Sequence, residues 1–197
     1  MATGLRVAVV GRSACTSDAA RVAELVGAEL CRAGHTVLGY FGFGVAAAAL
    51  RGAADQAACG YGPAPVAFVG HRDGRVLVPG LLREIDEQLG RWRGAGQMNW
   101  HYTEPGYRPP MFRSVLAAHC DAMVVIDGLW RGGPAIEAAH AANLGRAVFV
   151  PDGMPGDVAD HAVPARLLAH GAALPFRDID GLCAALAALP AVVGEGA

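Results

Sequence analysis

The sequence predicts an α/β protein built on a doubly wound, mainly parallel sheet with helices on both faces. Three observations carry this expectation. Short Val-rich runs, "LRVAVV" (5–10), "TVLGY" (36–40), "PVAFVG" (65–70), "AMVVI" (122–126) and "AVFVP" (147–151), read as strands buried on both sides. The segments between them repeat apolar residues at helical spacing. The turns leading from strand to helix are rich in glycine, and those turns are where open parallel sheets bind ligands.

Taken in order, the first strand ends at Gly11 and "TSDAARVAELVGAELCRAGH" follows as a helix. Ser17 can cap that helix, Val22, Leu25, Val26 and Leu30 form its apolar stripe, and Gly34 closes it. After the second strand, "FGFG" (41–44) is a turn and "VAAAALRGAADQAA" (45–58) a helix of small residues. The third strand leads to "PGLLREIDEQLGRW" (79–92), read as a helix, and then to "RGAGQMNWHYTEPGYRPP" (93–110), read as irregular. A loop that long in a compact domain is usually functional or mobile. "MFRSVLAAHC" (111–120) is a helix, and "PAIEAAHAANLG" (134–145) is a helix between the fourth and fifth strands. "VPARLLAHGA" (163–172), "ALPF" (173–176) and "DIDGLCAALAAL" (178–189) complete the pattern. With no internal repeat, one domain is expected over residues 1–190, with a frayed tail at 191–197.

Bulk composition narrows the function classes. The 197 residues are 53% hydrophobic and 17% charged, which is a globular composition. A net charge of −2 supplies no electrostatic footprint for nucleic acid or anionic membrane. Five cysteines without CxxC spacing cannot all pair within the chain, and they read as thiols of a reducing, cytoplasmic compartment. No clustered ligands suggest a metal, no cofactor is called for, and neither a signal peptide nor a membrane-spanning run is expected.

Several residues could carry chemistry. Gly42 and Gly44 lie between a strand and a helix, as do Gly132 and Gly133. Such glycines let main-chain amides approach an anion at a helix N-terminus, and they are also ordinary turn residues. Arg131, beside Gly132, offers a planar fork suited to phosphate, or is a solvated loop arginine. Glu137 reads as a first-turn acid favoured by the helix dipole, or as a group placed for a ligand. Asp127, at a strand end, could meet a ribose hydroxyl or cap its loop. Trp100, Tyr102 and Tyr107 could stack on a base, cover the core edge or form a dimer contact. His119 and His140 lie on helices and read as structural.

The stretch "VAVVGRSACTSDAARVAELVGAELCRAGHTVLGYFGFGVAAAALRGAADQAACG" resembles the opening of the Rossmann-like nucleotide-binding superfamily that includes the LOG-type ("lonely guy") phosphoribohydrolases. That family has a Met-x-x-Arg-Lys helix start and a Pro-Gly-Gly-x-Gly-Thr-x-x-Glu signature. "MFRS" (111–114) keeps an arginine, Arg113, one place early and has no lysine. "LWRGGPAIE" (129–137) keeps a glycine as Gly133 and the acid as Glu137, loses the Pro-Gly-Gly and puts Pro134 where the family has threonine. "GPAIEAAHAANLGRAV" (133–148) also resembles nucleoside 2-deoxyribosyltransferases, again with Glu137 on the catalytic acid. "GRAVFVPDG" and "ARLLAHGAAL" are similar to elements of the DNA-processing protein A family, which has no acid at that place.

The resemblance implies a Rossmann-like fold, a small-molecule nucleotide as partner and a homodimer, with the helices at 79–92 and 111–120 as candidate interface. Nucleic acid and membrane are not expected partners. It further implies cleavage of the N-glycosidic bond of a nucleoside 5′-monophosphate. Glu137 would stabilise the oxocarbenium-like state or orient water, and Arg113 would position the nucleotide. Ser13, Gly42, Gly44, Arg131, Gly132 and Gly133 would hold the phosphate, and Asp127 would meet the sugar. Two alternatives stand beside this: a nucleotide-binding sensor without turnover, and a deoxyribosyltransferase using Glu137 as nucleophile.

Overall fold

Each main strand of the computed structural model is short, apolar and sided by the two-residue pleat. The structure describes residues 4–69, 71–72, 75–76, 99–102, 115–129, 132–152 and 162–189. In β1 (Arg6–Val10), Val7 and Val9 face one layer while Ala8 and Val10 face the other. In β7 (Ala122–Val125), Ala122 and Val124 part from Met123 and Val125 in the same way. Burial on both faces is why these runs are continuously hydrophobic and not alternating.

The sheet has seven strands in the order β6-β3-β2-β1-β7-β8-β9, with every neighbouring pair parallel. Its other members are β2 (Thr36–Tyr40), β3 (Val66–Val69), β6 (Asn99–Tyr102), β8 (Ala147–Pro151) and β9 (Leu174–Phe176). A two-stranded antiparallel pair joins β4 (His71–Arg72) and β5 (Arg75–Val76). The helices are α1 (Ser17–Arg32), α2 (Gly44–Ala58), α3 (Val115–His119), α4 (Gly133–Asn143), α5 (Ala162–Ala169) and α6 (Ile179–Ala187). Apolar residues of α1, α2 and α6 pack on one face of the sheet, and those of α3, α4 and α5 on the other. The expected doubly wound α/β fold is therefore what the chain adopts.

Three details differ from the sequence reading. Thr16, not Ser17, is the cap of α1: its hydroxyl accepts the Ala19 N–H, and Ser17 is the first helical residue. Residues 99–102, read as part of an irregular stretch, form an edge strand beside β3. Asn-Trp-His-Tyr shows no apolar run, yet its aromatic residues suit an extended edge. α4 begins at Gly133, so Glu137 lies in its second turn and not its first. The helix expected at 79–92, the start of the one at 111–120, Tyr107 and the tail at 191–197 lie outside the described residues. Among the described residues no helix is long and apolar enough to cross a membrane.

α1 and α2 cross closely because both carry glycine at the contact. A Cβ on Gly27 would stand 2.0 Å from the Ala49 carbonyl oxygen, and one on Gly52 would stand 2.0 Å from that of Glu24. Alanine at position 27 gains helix propensity but must push two backbones apart. Gly27→Ala should therefore destabilise the fold by about 2 kcal/mol in urea unfolding; an unchanged or raised midpoint would contradict the close crossing.

His35 is buried between α1 and β2, and its Nδ1 accepts the Leu5 N–H at 3.1 Å. Burial pushes the imidazole below its ordinary value of 6.5, so the folded state prefers it neutral. Its contribution to stability is complete above the unfolded value and is lost as pH falls through the lower folded one. Unfolding midpoints should decline below about pH 6.5, and His35→Gln should flatten that part of the profile.

Candidate functional site

A crevice opens at the topological switch point, where β1 and β7 lie side by side and the chain leaves them for opposite faces of the sheet. Its volume is about 440 Å³. Val10 to Ser13 line it from the end of β1, Tyr40 and Phe41 from the end of β2, and Ala46 from α2. Leu129, Gly132, Gly133, Pro134 and Glu137 complete the wall from the loop after β7 and from α4.

Glu137 is only 2% exposed, yet it lines this crevice. The Tyr40 hydroxyl donates to its Oε1 at 2.6 Å, a bond across 97 residues of sequence. Two features of the fold create the pair. Tyr40 is the last residue of β2, so its side chain stands at the carboxyl edge of the sheet. Glu137 follows the α4 start by one turn, with Pro134 and Ala138 buried on either side of it. A first-turn acid would be explained by the helix dipole; a buried second-turn acid is not. The observed place removes that explanation and leaves a buried carboxylate on a cleft wall.

Asp127, just beyond β7, is also 2% exposed. Its Oδ1 accepts the Arg12 main-chain N–H at 2.7 Å, and its Oδ2 pairs with Arg12 Nε at 3.1 Å. Asp127 thus fastens the β7 loop to the β1 loop, two residues before the lining residue Leu129. Arg12 is part of the crevice wall, and no sequence motif pointed to it. Tyr40 was missed in the same way. Position at the carboxyl end of a strand was the signal available for both.

The glycines divide between two places. Gly132 and Gly133 line the Glu137 crevice, where Gly132 is the cap of α4. The first-turn amides of Gly133 and Ala135 have no partner within the helix, whereas Pro134 has none to offer. Gly42 and Gly44 instead line a second cavity of about 290 Å³ with Cys15 and Arg51; Ser13 borders both cavities. Gly44 has φ +72°, and a Cβ there would stand 2.1 Å from the Arg12 carbonyl oxygen. Val45 N–H bonds that same carbonyl at 3.2 Å, so Gly44 lets α2 close against the β1 loop. Arg113 and Arg131 lie outside the described residues.

All five cysteines are free thiols. Burial drives the Cys120 thiol up to about 12 and raises those of Cys15 and Cys31, which makes them poor nucleophiles. His119 packs edge-on against Phe68 with ring centroids 5.3 Å apart, and His140 is exposed on α4.

The Tyr40–Glu137 bond joins a neutral donor to a buried acid, and such bonds carry about 1.5–3 kcal/mol. A double-mutant cycle with Tyr40→Phe and Glu137→Leu should give a coupling energy of at least about 1 kcal/mol in urea unfolding. Strict additivity of the two changes would mean that the bond does not hold the pair.

Neither a protein-family model nor a curated protein sequence matches the chain. Solved structures do. The DNA processing protein A of Helicobacter pylori, described for its single-stranded DNA binding mode, superposes with TM-score 0.68 at 16% identity, covering 94% of this chain and 81% of that one. The molybdenum cofactor binding protein of Rippkaea orientalis gives 0.63 at 13% identity, covering 95% and 98%. The molybdenum cofactor carrier protein of Chlamydomonas reinhardtii gives 0.59 at 17% identity, covering 93% and 96%. At these identities the likeness is one of fold: the chain has the Rossmann-like architecture expected from its sequence.

Proposed function

We propose that the switch-point crevice binds a nucleoside 5′-monophosphate and that the protein hydrolyses its N-glycosidic bond. The observation that carries this reading is the buried Glu137 carboxylate on the crevice wall, fixed by the Tyr40 hydroxyl at 2.6 Å. As the C1′–N bond breaks, its electron pair leaves with the base and positive charge spreads over C1′ and the ring oxygen. A fixed carboxylate stabilises that charge better than mobile water does. Water then attacks C1′ and yields its proton through Glu137 to the departing base. The Gly133 and Ala135 amides at the start of α4 supply donors for the phosphate.

The loop at Pro134 favours a second reading, ligand carriage without turnover. Proline removes one donor from the turn that would cradle the phosphate, and the resembling carrier and binding proteins share this fold. Deoxyribosyl transfer would need Glu137 itself to attack C1′, with no Tyr40 bond to its attacking oxygen. The homodimer implied by the resemblance also belongs to this proposal.

Base release from a panel of ribonucleoside and deoxyribonucleoside 5′-monophosphates, followed by chromatography, separates the readings. Hydrolysis should be seen on at least one nucleotide, and Glu137→Gln should slow it about 100- to 1000-fold while changing affinity by less than about threefold. Binding without release on the whole panel would establish carriage instead. Exchange of bases between nucleosides would establish transfer.

A further inference from the structure

We infer that Arg12, aimed by the buried Asp127, is the residue that recognises the anionic group of the ligand and sets the preference for a phosphorylated nucleoside over a free one. This deepens the reading above and rests on it. Arg12 and Glu137 are the two charged side chains among the described residues of the crevice wall. The crevice is therefore bipolar, with a cation at the end of β1 and a carboxylate on α4. A nucleotide has the matching polarity: a fixed anion at C5′ and a centre at C1′ that turns positive as the bond breaks.

The placement of Arg12 also fits. Asp127 engages the guanidinium through Nε, the nitrogen nearest the stem, at 3.1 Å, and holds the main chain of the same residue at 2.7 Å. Arg12 remains 20% exposed and part of the wall, while its partner is 2% exposed. A purely structural pair needs no exposure on the cleft side. A recognition arginine needs it, together with a partner that keeps its long side chain from wandering. The start of α4 adds a reason. Pro134 removes a main-chain donor from the anion-facing turn, and a guanidinium in the same wall replaces it.

Asp127 is thus a positioning residue, and Arg12 the group that touches the ligand. The test measures affinities of adenosine, guanosine, cytidine and uridine against their 5′-monophosphates by titration calorimetry, on the full chain. Arg12→Gln alone leaves a buried carboxylate with only the main-chain bond, which costs stability, so Arg12→Gln/Asp127→Asn is made beside it. The double variant removes both charges and keeps an acceptor for the main-chain N–H of residue 12.

For at least one base the wild type should prefer the monophosphate by about tenfold or more. The double variant should lose that preference while still binding the nucleoside, and Arg12→Lys should retain part of it. Asp127→Asn should raise KM for the monophosphate and leave kcat in place. A preference that survives in the double variant overturns the role of Arg12 while nucleotide binding stands. Equal wild-type affinity for nucleoside and monophosphate, with base released from both, overturns the inference and leaves Glu137 in its role. Failure of every nucleoside and nucleotide to bind overturns both readings.

Discussion

The crevice depends on one interaction, the buried pairing of Asp127 with Arg12. β1 and β7 are hydrogen-bonded neighbours, but the chain leaves β1 for α1 on one face and β7 for α4 on the other. The ladder closes with the Ile126 N–H on the Val10 carbonyl at 3.0 Å, and beyond it the two loops diverge with a spacing of their own. Asp127 sets that spacing by holding both the main chain and the side chain of Arg12. A buried carboxylate that loses its partners is strongly destabilising, so the two loops are locked together. α2 adds a second tie, because Val45 bonds the Arg12 carbonyl and Gly44 gives it room to do so. The end of β1 is thus held from both sides.

Most of this architecture was legible in the sequence, for reasons that differ by element. β1, β2, β3, β7 and β8 are buried on both faces, so they appear as unbroken apolar runs. β6 is an edge strand with polar and aromatic residues, and its pairing partner is more than 30 residues away, so periodicity gives it no signature. The cap of α1 moved by one residue because Thr16 and Ser17 are both competent caps. The start of α4 moved by one residue for a subtler reason: proline suits the first turn at either of two places. With that start, Glu137 falls in the second turn, beyond the reach of the helix dipole's strongest effect.

The site was legible in part. Glu137, Gly132, Gly133 and Ser13 line one crevice, as expected of residues at strand ends and helix starts. Gly42 and Gly44 fall in the adjoining cavity because the β2–α2 turn packs under the β1 loop. Arg12 and Tyr40 stand at strand ends, and no local motif assigns either of them a role. Each is a lone residue in its own segment, and each acquires meaning from a partner 115 or 97 residues away. Long-range pairing of this kind is a property of the topology and cannot be written in a local motif.

The structural relatives sharpen what must bear the weight of a functional reading. One is described for binding single-stranded DNA and others for binding a molybdenum cofactor, so this fold accommodates ligands of very different size and chemistry. The sheet supplies a crevice and helix starts that favour anions; it does not choose among those ligands. The choice lies with side chains on the wall, and here the described wall holds one cation and one buried carboxylate among small and aromatic residues. A long polyanion needs many cations along an open surface, and the described crevice wall holds the single cation Arg12. A compact ligand with one anionic end and one reactive or cationic end matches that pattern of charge, which is why the nucleotide reading rests on Arg12 and Glu137 together and not on the fold they share with these neighbours.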